Sequence, residues 1–192
     1  MWLSAESSMK GESDRGKYEK ARDLKKKIGK IRADYAKQLD SKVLLEKQRA
    51  TTLWIIDKLA LRVGNEKSED EADTVGCCSL RWEHVEPREP LTLHFDFLGK
   101  DCVRFEKDVD LLTECLACER ADDRACGECK ACAIDKEVNK KIYRNIVEFR
   151  KGGQEGNALF ELIDPGVLNK YLGELMPGLS AKVSAARRRT PV

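Results

Sequence analysis

Residues 41–65, SKVLLEKQRATTLWIIDKLALRVGN, decide the fold. Leu53, Ile56, Ala60 and Val63 follow one another at steps of three and four, and Trp54 and Leu61 broaden the stripe. That spacing predicts a helix buried over a wide face. Ser41 stands where an N-cap is needed, because its hydroxyl can accept from the first free amides of the helix. Gly64 and Asn65 tolerate positive φ, so the helix is expected to stop there. Arg62 then sits at the end of a buried helix with its guanidinium on a rigid stem, and a guanidinium is a fork that grips two phosphate oxygens at once.

Upstream, Ala21, Leu24, Ile28, Ile31, Tyr35 and Leu39 draw a second apolar stripe, while Lys20, Lys25, Lys26, Lys27, Lys30 and Lys37 lie largely off it. A helix with one basic face is predicted from Tyr18 onward. Residues 1–16 lack periodicity and read as a flexible leader. Downstream, TVGCCSLRWEHV (74–85) fits either a strand or an irregular connection. LTLHFDF (91–97) alternates apolar and polar residues as a half-buried strand does, and CVRFEKDV (102–109) alternates again. Together they predict a β-hairpin with Lys100 and Asp101 at its tip. NKKIYRNIVEFRK (139–151) returns to helical spacing, NALFELI (157–163) reads as a short helix, and Asp164-Pro165 opens another as N-cap and first helical residue. The fold class expected is mainly α with a small β-hairpin element, that is, α+β.

Composition bounds what such a fold can do. At 192 residues, 41% of them hydrophobic, the chain can bury one sizeable core. Its charges are segregated: residues 10–49 hold 14 Lys/Arg against 7 Asp/Glu, and residues 66–96 hold 3 against 9. A basic face and an acidic face follow, and the basic one suits nucleic acid. No apolar run approaches the ~18 residues of a membrane span, and MWLSAESSMK lacks the basic-then-apolar order of a secretion signal. The 8 cysteines are therefore expected as thiols or metal ligands and not as disulfides.

Five of those cysteines cluster in a hydrophilic stretch, about 112–137, that reads as an insertion. Cys115, Cys118, Cys126, Cys129 and Cys132 include pairs separated by two residues, the spacing that lets two sulfurs reach one tetrahedral zinc ion. Against a structural zinc stand five thiols for four places, no neighbouring histidine and a short middle gap; the alternative is a loop with incidental thiols. Cys77 and Cys78 are adjacent, cannot readily chelate together, and read as packing thiols.

Three stretches carry a resemblance. ATTLWIIDKLALRVGNEKSEDEADTVGCCSLRWEHV (50–85), HFDFLGKDCVRF (94–105) and GVLNKYLGELMPGLSAKV (166–183) resemble, in this order, the core of eukaryotic type IB DNA topoisomerases. The likeness runs from about Tyr18 to Val183, broken at the cysteine-rich stretch, and implies a core subdomain over 17–183 followed by a divergent basic tail, 184–192. It implies ATP-independent relaxation of supercoiled DNA, in which a tyrosine cuts one strand through a 3′-phosphotyrosine. By position, Arg62 resembles the first catalytic arginine and Lys100 the catalytic lysine, general acid for the leaving 5′-oxygen. Asn65, Lys67, Thr74, Asp101, Asn169 and Lys182 match DNA-contacting positions, which orient the duplex more than they read it. The partner implied is double-stranded DNA, the location the nucleus, and no cofactor is required.

The resemblance breaks after Val183. Where the family carries an aromatic residue and a second catalytic arginine, this chain has Ser184 and Ala185, and Arg187, Arg188 and Arg189 come too late. None of Tyr18, Tyr35, Tyr143 or Tyr171 stands in the nucleophile's motif. The expectation is a core fragment that holds part of an active site and is inactive alone, its tyrosine supplied by a separate chain or a missing segment. Competing expectations are a non-catalytic duplex-binding module and a zinc-organised interaction protein.

Overall fold

The first apolar stripe forms a long helix. In the computed structural model, which describes residues 8–64, 74–112 and 130–181, helix α1 spans Ser8–Gln38. Leu24, Ile31, Tyr35 and Leu39 are buried along it, and Ile28 packs against them. The helix starts well before Tyr18, so residues 8–16 are not an unstructured leader; residues 1–7 lie outside the described part. Helical propagation adds a hydrogen bond per residue once a turn exists, and an i,i+4 pair, Arg15 Nε to Glu19 at 3.3 Å, supports this polar stretch. Gly29 is exposed, and an added Cβ would meet nothing within 4 Å. Gly29→Ala is thus expected to stabilise the chain by about 1 kcal/mol, seen as a melting temperature higher by roughly 2–4 °C.

Helix α2, Leu44–Leu59, is buried almost all round at Ala50–Lys58. Its ends differ from expectation. Val43, not Ser41, holds the N-cap position; Ser41 Oγ accepts from Val43 N at 3.1 Å and donates to Glu46 at 2.6 Å. The helix ends at Leu59, where Ala60 turns left-handed at φ 52°, five residues before Asn65. The carbonyls of Arg62 and Val63 accept from Cys77 N and Cys78 N at 2.7 and 2.8 Å. Tertiary pairing takes this backbone out of the helix, so Arg62 stands on a non-helical segment and not on a helix end.

Across α1 and α2, Arg32 makes two hydrogen bonds to Asp57, Nε at 2.7 Å and Nη2 at 3.1 Å, and Tyr35 donates to the same carboxylate at 3.2 Å. Burial opposes charge on Arg32, but Asp57 outweighs it and raises the pKa above the ordinary arginine value.

The stretch left open, 74–85, contains two short 3-10 turns, Cys77–Ser79 and Trp82–His84, and then enters strand β1, Val85–Arg88. Strands β2, Thr92–Leu98, and β3, Arg104–Asp110, form the expected hairpin, and the antiparallel sheet runs β1-β2-β3. Val85 faces Phe95 and Phe97 faces Phe105 in register. The alternation of β2 puts Leu93, Phe95 and Phe97 into the core.

Helix α3, Lys130–Phe149, begins inside the stretch assigned to the cysteine-rich insertion, so 130–137 are helical. Two buried asparagines fasten it: Asn139 donates to Leu111 O at 3.0 Å and Asn145 to Leu39 O at 3.1 Å. NALFELI is not a helix. Trp82 N bonds Asn157 O at 3.1 Å and Leu159 N bonds Leu80 O at 2.8 Å, pairing this backbone with residues 80–82 while Leu159, Phe160 and Ile163 enter the core. Helix α4, Pro165–Leu175, starts as its sequence predicts, with Asp164 Oδ1 accepting from Val167 N at 2.9 Å.

Glu83 braces the 80–82 pairing, accepting from Arg81 Nε at 2.6 Å and from Gly156 N at 3.0 Å. Burial pushes its carboxyl up, yet these donors outweigh burial and bring the pKa to about 2, below the usual 4.5. The stabilisation is full above 4.5 and is lost as pH falls toward about 2. Glu83→Gln should therefore lower stability near neutrality and flatten that part of an acid-unfolding curve, the two proteins converging as pH falls toward about 2.

Candidate active site

A cleft of about 240 Å³ opens where the segment after α2 meets the hairpin, lined by Leu61, Arg62, Val75, Gly76, Phe97, Gly99, Lys100, Val103, Arg104 and Phe105. Its first wall is the non-helical chain at Arg62, pinned by the Cys77 and Cys78 amides. The pinning depends on Gly76: a Cβ there would lie 2.2 Å from Gly64 N and 2.3 Å from Gly64 Cα. Only two glycines permit that approach, and Gly64 also takes φ +87°. Ser79 Oγ accepts from Gly76 N at 3.0 Å and steadies the turn.

The second wall is the hairpin. Val75 N donates to Leu98 O at 2.7 Å, so the turn that holds Arg62 also grips the end of β2. Gly99 N donates to Val103 O at 2.8 Å and closes the loop over Lys100–Cys102, in which Asp101 and Cys102 are left-handed at φ 63° and 56°. Phe97 and Phe105 stack at 5.0 Å between centroids and give the cleft an apolar side. The backbone thus fixes Arg62 relative to Lys100 through one continuous set of hydrogen bonds.

Arg62 and Lys100 are both exposed, and among the described residues no carboxylate pairs with either. Two cations in one recess, neither paired with a carboxylate among the described residues, suit an anion with several oxygens. Arg104 is a third cation in the lining, but Asp96 holds it, with Nε at 2.8 Å and Nη2 at 2.7 Å. The Arg104 hydrogen bonds keep the Asp96 carboxyl below its ordinary range.

Of the residues singled out in the sequence, the fold brings Arg62 and Lys100 into the cleft. Thr74 precedes the Val75 wall, and Asp101 follows Lys100 at the exposed tip. Asn169 lies on α4, where its Oδ1 accepts from Ala181 N at 3.1 Å, and it does not line the cleft. Asn65, Lys67, Lys182, Cys115, Cys118, Cys126 and Cys129 lie outside the described residues, as does the side chain of Cys132, whose backbone belongs to α3. Among the described residues no group of His, Cys, Asp and Glu is arranged to hold a metal ion. Burial pushes both adjacent thiols up, Cys78 to about 12, and Cys77 Sγ lies 3.7 Å from Thr52 O, as packing thiols should. Arg104 and Gly76 escaped sequence reading. The available signal for Arg104 was strand alternation, and for Gly76 a glycine in a stretch of Val and Cys, where backbones come close.

Known proteins share this sequence over most of its length. The family described as eukaryotic DNA topoisomerase I, catalytic core, matches residues 6–119 and 130–185. The gap between the two matches falls in the cysteine-rich stretch. DNA topoisomerase 1 of Schizosaccharomyces pombe is 45% identical over 184 residues, covering 95% of this chain and 19% of that protein. DNA topoisomerase 1 of Daucus carota is 44% identical over 95% of this chain and 20% of its own length, and that of Homo sapiens 42% over 94% and 21%. The chain spans about a fifth of the length of these relatives. With a mainly helical α+β fold, a hairpin bearing Lys100 and a match over most of its length, the chain belongs to the eukaryotic DNA topoisomerase I catalytic-core family.

Proposed function

We propose that this chain is part of a type IB DNA topoisomerase core, which binds duplex DNA and seats one backbone phosphate in the cleft between Arg62 and Lys100. The observation that carries this reading is the convergence of those two residues, distant in sequence, in one recess with no carboxylate partner among the described residues. The reaction needs three things at the phosphorus. A tyrosine oxygen attacks and bonds to phosphorus, the P–O bond to the 5′-oxygen breaks, and charge building on the non-bridging oxygens must be neutralised. Arg62 donates to those oxygens, and Lys100 hands a proton to the departing 5′-oxygen. One phosphate ester replaces another, so the exchange requires no nucleotide cofactor and reverses when the 5′-hydroxyl returns.

The nucleophile comes from elsewhere. Tyr35, Tyr143 and Tyr171 lie on α1, α3 and α4, and among the described residues no tyrosine lines the cleft. A segment outside these 192 residues, or a second chain, supplies it. The place of work is nuclear chromosomal DNA, where replication and transcription generate supercoils. Among the described residues, no helix is long and apolar enough to cross a membrane.

This chain alone is expected to leave supercoiled plasmid unrelaxed, yet to bind duplex with an affinity that falls steeply with salt. Arg62→Ala should reduce the slope of log affinity against log salt by about 0.9, the contribution of one phosphate contact, without lowering the melting temperature. Relaxation by the chain alone would overturn the placement of the nucleophile, and an unchanged slope would overturn the phosphate seat.

A further inference from the structure

Arg104 has no role in the chemistry above, although it shares the cleft with the two cations that do. It stands opposite Leu98 in the last register pair before the tip that carries Lys100. Asp96, two residues back along β2, takes the Nε and Nη2 positions of its guanidinium at 2.8 and 2.7 Å. Nη1 makes a longer ion pair with Glu106 at 3.5 Å, beyond the usual hydrogen-bond range. One edge of the fork is therefore filled and aligned, while Nη1 keeps donors to give. The side chain is 60% exposed, so a ligand can reach it. An ion pair this exposed contributes little to stability in water, and stability alone does not account for the alignment.

We propose that Arg104 is a second phosphate ligand of the cleft: held by Asp96, it presents Nη1 to the DNA backbone phosphate next to the one seated at Arg62 and Lys100. This assignment rests on the reading of the cleft as a phosphate seat. Neighbouring phosphates follow one another with about 3.4 Å of rise along a strand, so a cleft that admits one places the next beside its rim. Asp96 orients the fork and offsets its charge when no DNA is present. On binding, the Nη1 donors go to a phosphate oxygen and Glu106 is left to solvent. No group is transferred; the role is to fix the register of the strand over Lys100.

The experiment compares the full chain with R104Q, R104K, D96N and R62A in binding a short fluorescein-labelled DNA duplex over a range of salt, with thermal melting of each variant alongside. R104Q should reduce the slope of log affinity against log salt by about 0.9, and R104K should restore it. D96N breaks the same ion pair but keeps the cation, so its slope should equal or exceed that of the parent chain. If the pair were only structural, R104Q and D96N would weaken binding alike; that result, or an unchanged slope in R104Q, overturns the assignment. Should R62A flatten the slope while R104Q does not, the Arg104 role alone fails. Should neither flatten it, the phosphate reading of the cleft fails as well.

Discussion

Gly76→Ala is expected to destabilise the chain by about 3 kcal/mol and to weaken duplex binding together with it. The methyl group would lie 2.2 Å from Gly64 N, 2.3 Å from Gly64 Cα and 2.7 Å from Val63 C, all backbone atoms that cannot swing aside. The two segments must separate, and with them go three hydrogen bonds: Cys77 N to Arg62 O, Cys78 N to Val63 O and Val75 N to Leu98 O. At roughly 1 kcal/mol each these give the estimate. Thermal melting and duplex affinity, measured side by side, check it. Arg62→Ala should lose affinity without the drop in stability, and that contrast separates the cation from the backbone that carries it. A Gly76→Ala chain that melts and binds like its parent would show that the approach of Gly64 to Gly76 does not position Arg62.

Asp57→Ala is expected to cost about as much, roughly 3 kcal/mol, at the low end for a buried pair broken from one side. The Asp57 side chain is 10% exposed and that of Arg32 25%. Removing the carboxylate strands a guanidinium in a poorly solvated place and takes the acceptor from the Tyr35 hydroxyl. Asp57→Asn keeps an acceptor oxygen for Tyr35 and should cost less. Denaturant unfolding of both variants orders them. Because Asp57 lies in the last turns of α2, just before the chain turns out toward Arg62, the loss should also lower duplex affinity.

How much of this was legible in the sequence follows from where the signals reside. The α1 stripe, the Asp164-Pro165 start of α4 and the hairpin over Lys100 rest on local periodicity, capping and turn chemistry, and all three form as read. Two of the misreadings, the end of α2 and the stretch 157–163, share one cause, hydrogen bonds between residues distant in sequence. The Arg62 and Val63 carbonyls end α2 early by accepting from the 77–78 turn, and Ala158–Leu159 is drawn out of helix by its bridge to residues 80–82. Neither partnership leaves a local mark, so propensity wins on paper and tertiary pairing wins in the fold.

The candidate site divides along the same line. Arg62 stood out at the end of an apolar stripe and Lys100 at a hairpin tip, the three motifs that resemble a family gave both their roles, and the fold brings them to one cleft. Arg104 carries no motif of its own; only the register Leu98 to Arg104 and the Asp96 clamp bring it into view. A cleft built from a non-helical segment, a turn and a hairpin tip owes its shape to pairings between segments, which periodicity cannot encode.

The central claim is that the Arg62–Lys100 cleft is where this chain holds a DNA phosphate. Nuclear magnetic resonance of the 15N-labelled chain, titrated with a short duplex, tests it most directly because no substitution is needed. The expected result is that the largest shifts fall on the Arg62 Nε–H group and on the amides of Val75, Gly76 and Gly99–Val103, moving together with one dissociation constant. Shifts confined to α3 and α4, with the Arg62 and hairpin signals unmoved at saturation, would contradict it.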